Sequence, residues 1–172
     1  MKVMLDLETM GNGSNATIIA IGAVYFDKES VISKFYVNVD RKSCEDRGFV
    51  SDDSTIKWWS EQSDAARDAL LVDPEDIIDA LQMFRDWIND LGTPFKDVEM
   101  WGNGAMFDNT ILGNAYKACS MQIPWSFWND RCYRTVKSMN TSIKLNRVGT
   151  HHNAVDDAES QALHLINILK SK

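Results

Sequence analysis

Cysteine, proline and histidine are scarce in this chain, with three of each in 172 residues. No hydrophobic run approaches the roughly 20 residues that a membrane-crossing helix needs. Cys44, Cys119 and Cys132 are odd in number and widely separated, which argues against a disulfide framework. None belongs to a Cys-x-x-Cys pair, so structural zinc is not expected either. Reduced thiols in a cytoplasmic setting fit this usage, and the charged start of the chain shows no signal peptide. Basic residues are the minority, 18 Lys and Arg against 25 Asp and Glu, for a net charge of −7. That balance argues against a protein that coats duplex nucleic acid through a uniformly basic surface. What is plentiful is apolar material: 44% of the residues, including six Trp and seven Phe, enough to build one domain over residues 1–172 and to set disorder aside.

The shortage of basic charge is uneven. Residues 131–150 carry Arg131, Arg134, Lys137, Lys144 and Arg147 with no Asp or Glu, while acids concentrate in 40–99. A small site that grips the end of a nucleic-acid chain is therefore compatible with the acidic average.

Three strands open the chain. Residues 1–8 alternate apolar and polar, 17–27 are apolar on both faces, and 31–40 alternate again after a short Lys28-Glu29-Ser30 turn. The middle turns helical. Ser54 is expected to cap a helix containing Ile56, Trp58 and Trp59, and Ser63 a second short one. Asp73-Pro74-Glu75-Asp76 is expected to start a longer helix with Ile77, Leu81, Phe84 and Ile88 on one side. A fourth strand follows over 97–102 and ends at Gly102-Asn103-Gly104, before a helix over 106–119. Residues 131–139 read either way, as a short strand passing into a helical turn. A last helix spans 153–169. The order βββ-α-β-α-β-α describes an α/β fold with a mixed sheet.

The chemistry lies at the ends of these elements. Asp6 and Glu8 are two apart on a strand and so share a face, where their like charges raise each other's pKa. Asp108 falls in the first turn of a helix, and Asp157 one turn into the last helix, with His152 on the loop before it. Each alone has an ordinary reading: a solvated strand end, an acid favoured by a helix dipole, a surface histidine. Asp156 points about 100° away from Asp157 round the helix and reads as solvated. Four carboxylates together suit hard divalent cations, which take oxygen ligands. Two such ions, roughly 3.5–4 Å apart, clamp the attacking and leaving oxygens of a phosphoryl displacement. An imidazole near pKa 6.5 suits deprotonation of water at neutral pH.

Asp6-Leu7-Glu8-Thr9, then Asn103 with Phe107-Asp108, then His152-x-Ala154-x-x-Asp157-Ala158 resembles the DEDDh subgroup of the DnaQ-like, ribonuclease-H-like 3′–5′ exonucleases. The motifs stand in the family's order and span nearly the whole chain. Trp58-Trp59 and Gln62 resemble the small stand-alone phage and bacterial exoribonuclease-like members. The resemblance implies a mixed five-stranded sheet flanked by helices. It casts Asp6, Glu8, Asp108 and Asp157 as ligands of two Mg²⁺ or Mn²⁺ ions, with Asp6 bridging them, and His152 as general base. Thr9 and Met10 stand where the family contacts the terminal nucleotide. The implied activity is hydrolysis of single-stranded RNA or DNA from the 3′ end, releasing nucleoside 5′-monophosphates; small relatives often pair as homodimers. Weaker candidates for substrate contact are Trp58 and Trp59 by stacking, Asn103 and Gln62 by hydrogen bonds, and Arg134 on a phosphate. Adjacent tryptophans diverge by about 100°, so one of the pair is expected in the core. The rival reading is a catalytically silent module of the same fold that binds nucleic-acid ends or a protein.

Overall fold

A computed structural model describes residues 1–171. The first strand, β1 (Lys2–Thr9), lies at the centre of a five-stranded sheet in the order β3-β2-β1-β4-β5. β2 (Ile18–Phe26) pairs antiparallel with β1, and β3 (Val31–Asn38) antiparallel with β2. β4 (Glu99–Gly102) and β5 (Asp130–Cys132) extend the other side in parallel, so the sheet is mixed.

Alternation along β1 divides the core in two. Val3, Leu5 and Leu7 pack into a layer with Ile77, Leu81 and Phe84 of α4 (Ile77–Asp90) and Ile111 and Leu112 of α5 (Asp108–Ala118). Met4 points the other way. It joins Val24, Trp101, Tyr133 of α6 (Tyr133–Ser138), and Ala158, Ala162 and Leu165 of α7 (Ala154–Lys170). Asp6 and Glu8 share Met4's parity, so they sit on the α7 face of the sheet. β2 is buried on both faces, as its unbroken apolar run predicts.

Two glycines let helices reach the sheet. A Cβ on Gly22, the residue paired with Asp6, would lie 2.2 Å from the Ala154 carbonyl carbon. A Cβ on Gly102 would lie 2.4 Å from Asn109 Oδ1 and 3.2 Å from Asp108 Cβ. Their missing side chains bring the first turns of α7 and α5 against the ends of β1 and β4.

Element boundaries differ from expectation where a side chain finds a better partner. The third strand stops at Asn38, because Asp40 caps an unanticipated helix, α1 (Arg41–Glu45), by accepting from the Ser43 amide. Ser54 lies inside α2 (Asp53–Ser60) rather than capping it; the cap position is Asp52, whose carboxylate accepts from the Asn12 amide. Ser63 does cap α3 (Asp64–Ala69). The long helix begins three residues after Pro74, since Glu75 bridges to Val39 in extended form and Asp76 caps through the Ile78 amide. A 3₁₀ turn over 95–97 delays β4 to Glu99. Residues 130–138 resolve into β5 followed directly by α6. Among the described residues, no helix is long and apolar enough to cross a membrane.

Candidate active site

The pairing of β1 with β4 stops at Leu5 and Gly102, so the end of β1 projects beyond its parallel neighbour. There the Leu7 amide donates to Asp108 Oδ1 at 3.2 Å, which locks the start of α5 against the strand. From the other face α7 presents Asp157 and, one turn later, Gln161, whose Nε2 donates to Asp6 Oδ1 at 2.7 Å. Carboxylate oxygens of Asp6, Glu8 and Asp157 lie within 4.8 Å of one another. Asp108 closes the same cleft, of about 330 Å³. Glu8 is 7% exposed, Asp108 3% and Asp157 7%.

Burying like charges together favours their protonated forms. Desolvation, with Asp157 and Asp108 nearby, pushes Glu8 up to about 8. Burial pushes Asp108 up to about 7, against the opposing pull of the Leu7 amide and Arg134. Asp6 is raised well above the usual carboxylate range by burial, then by Asp108 and Glu8, while Gln161 opposes. A site this acidic is costly to hold ionised without cations. Its donors are hard oxygens, and Gln161 Oε1 is buried with no hydrogen-bond partner. This donor set fits hydrated divalent cations.

His152 stands at the rim on a left-handed residue, φ 63°. Its amide donates to Asp157 Oδ2 at 3.0 Å, so the loop before α7 is tied to a carboxylate of the cleft. The ring stacks on His151 at 3.7 Å and meets the edge of Trp58 at 4.8 Å. Burial, then His151, lowers its pKa, so the imidazole is neutral and able to accept a proton at neutral pH.

The structure brings ten of the twelve expected residues to this region. Asp6, Glu8, Asp108, Asp157 and His152 line the acid cleft together with Asn103 and Arg134. Arg134 donates to the Asn103 carbonyl at 2.6 Å, and Gly104, at φ 118°, leaves room for its guanidinium. Thr9, Trp58 and Trp59 line an adjoining aromatic cleft beside Glu8 and Phe107. Of the two tryptophans, Trp59 is the buried one, donating through Nε1 to the Thr9 carbonyl at 2.9 Å; Trp58 is 40% exposed. Thr9 spends its hydroxyl on the Gly11 carbonyl. Two residues lie elsewhere. Gln62 folds back to donate to the Trp58 carbonyl, closing the end of α2. Met10 lines a separate apolar cavity behind Trp59.

Asp156 is not simply solvated: its carboxylate accepts from the Thr150 amide at 2.7 Å and holds the loop leading to His152. Gln161 escaped sequence reading, though its place four residues after Asp157 puts it on the same helix face. Arg147, in sequence one member of the basic stretch 131–150, pairs with Asp157 Oδ1 at 2.5 Å inside the cleft.

A mixed sheet whose central strand ends in paired carboxylates, completed by acids from two helices, defines a ribonuclease-H-like exonuclease fold. The profile of the Rv2179c-like 3′–5′ exoribonuclease domain matches residues 1–169, and the chain belongs to that family of 3′–5′ exonucleases. It is also similar to an exodeoxyribonuclease of enterobacteria phage T4. The two are 28% identical over 158 residues, covering 77% of this chain and 68% of the phage protein. Among solved structures, the nuclease domain of 3′hExo, a DEDDh family member bound to rAMP, superposes with a TM-score of 0.67 at 15% identity, covering 99% of this chain and 92% of that one. Exonuclease X in complex with 5′-overhanging duplex DNA gives 0.63 at 16% identity, over 100% and 93%. At these identities the structural likeness establishes the fold. DEDDh exonucleases use divalent metal ions.

Proposed function

We propose that the protein shortens single-stranded RNA or DNA from the 3′ end one nucleotide at a time, releasing nucleoside 5′-monophosphates. The observation that carries this reading is the quartet of carboxylates in one cleft with a neutral imidazole on its rim. Asp6, Glu8, Asp108 and Asp157 would hold two Mg²⁺ or Mn²⁺ ions. Bound there, the ions would neutralise the carboxylates and stabilise charge on the attacking and leaving oxygens. His152 takes a proton from the attacking water; the new bond joins that oxygen to phosphorus. The bond from phosphorus to the 3′ oxygen of the preceding nucleotide breaks, and that oxygen leaves as the new 3′ hydroxyl after gaining a proton. Trp58 and Phe107 flank the aromatic cleft where the terminal base would rest, and Arg134 faces the phosphate. Depth supports single strands, because the last nucleotide must leave a duplex stack to reach carboxylates this buried. The unpaired thiols, Cys44 fully buried among them, suit a reducing, cytoplasmic setting.

A time course on 5′-labelled RNA and DNA strands of one sequence, with Mg²⁺, Mn²⁺ or EDTA, tests the reading. A metal-dependent ladder descending by single nucleotides is expected, and the faster strand names the preferred sugar. Internal fragments would contradict an exonuclease, and binding without cleavage would favour the silent module.

A further inference from the structure

Three clefts meet around the carboxylates. The acid cleft shares Glu8 and Phe107 with the aromatic cleft, and Asn103 and Arg134 with a third cleft of about 550 Å³. The aromatic cleft and the third cleft share no residue, so the acids lie between them. The third cleft is lined by Arg134, Lys137 and Lys144 with hydroxyls of Ser138 and Thr141, and no carboxylate borders it. Among the described residues, none of those three cations pairs with an acid. Its floor is fixed. Buried His164 bonds to the Ile143 carbonyl at 2.9 Å and to the Tyr133 hydroxyl at 2.7 Å, tying the arm that bears Lys144 to α6 and α7.

We infer that this groove carries the sugar-phosphate backbone on the 5′ side of the bond to be cut. The terminal base lies in the aromatic cleft, the scissile phosphate over the acids, and the preceding phosphates along Arg134, Lys137 and Lys144. Phosphates rather than bases occupy it, because it offers three cations and no Phe, Tyr or Trp for stacking. In a chain of net charge −7, an unneutralised basic stripe leading out of an acid site also gives the strand one favoured direction of approach. The substrate is therefore a strand several nucleotides long, not a dinucleotide. This inference rests on the exonuclease reading.

The test compares a strand of about twelve nucleotides with the p-nitrophenyl ester of thymidine 5′-monophosphate, which has nothing upstream of the reacting phosphate. In the double variant Lys137→Glu/Lys144→Glu, the ratio of kcat/KM for the strand to that for the ester falls about tenfold or more, and the salt dependence of log Kd flattens by about 1.4, two phosphates at ~0.7 each. Lys137→Gln/Lys144→Gln shows a smaller fall in the same direction and serves if the Glu variant folds poorly. An unchanged ratio with an unchanged salt slope would overturn the groove. Should the wild type hydrolyse neither substrate, fluorescence anisotropy of the labelled strand still decides. Weaker binding by the double variant would uphold the groove while the exonuclease reading fails, and equal binding would reject it.

Discussion

The carboxylates and the imidazole are held by different kinds of structure. Asp6 and Glu8 are fixed by a central strand paired with β2 along its length and with β4 as far as Leu5, and Asp108 is anchored to that strand by the Leu7 amide. His152 belongs to the arm between α6 and α7, which has no strand or long helix. Five side-chain attachments hold that arm: Asp157 on Arg147 and on the His152 amide, buried Ser160 on the Val148 amide, Asp156 on the Thr150 amide, and His164 on the Ile143 carbonyl. All four partners of the arm lie on α7. The acids are thus placed by the fold, and the base by the surface of one helix. Damage to the arm should lower turnover more than it lowers stability, and damage to the core should do the reverse.

Substitutions can break that comparison from either side. Asp6→Asn should cut kcat about a thousandfold or more, because it removes a ligand expected to serve both ions. It should not lower the Tm of the metal-free protein, since it removes a carboxyl whose ionisation is opposed by burial and by its neighbours. A lower metal-free Tm would contradict the repulsion. Phe84→Ala, in the fully buried α4 layer, should destabilise by about 3–5 kcal/mol while leaving kcat per folded molecule unchanged. Chemical denaturation and active-fraction titration check both halves. Ser160→Ala strands the Val148 amide and should destabilise by about 1–3 kcal/mol, yet lower kcat about tenfold through His152. Equal kcat in a folded variant would show that the arm does not depend on this bond.

The same acids also make stability depend on pH. Carboxyls whose folded pKa is raised hold their protons more tightly when folded, so their contribution is full below the unfolded pKa and is lost as pH rises through the folded one. With Glu8 raised from 4.5 to about 8 and Asp108 from 3.8 to about 7, the metal-free protein should lose Tm between about pH 4 and pH 8. Mg²⁺ should restore it, more at about pH 8 than at about pH 5. A rescue that does not grow with pH would mean the ions bind elsewhere.

The first four strands and the candidate acids were legible in sequence because each rests on a local pattern, whereas β5, three residues long, is too short to show one. Alternation marks β1, and Asp-x-Glu on one strand face stays on one face however the rest folds. Residues whose place depends on a distant partner were not legible. Asp52 gives its carboxylate to Asn12 instead of its own helix, and Asp156 turns from solvent to Thr150. Met10 falls behind Trp59, where it packs with Ile19 and Ala66. Gln161 and Gly22 matter only once α7 is docked on β1 and β2.

The division between acids and arm is tested most directly by His152→Ala. Its single-turnover rate on a labelled strand should fall about a hundredfold or more, while Mg²⁺ still raises its Tm as much as it does for the wild type. A wild-type rate in the folded variant would remove His152 as the base. A lost Mg²⁺ response would place the imidazole among the ligands instead.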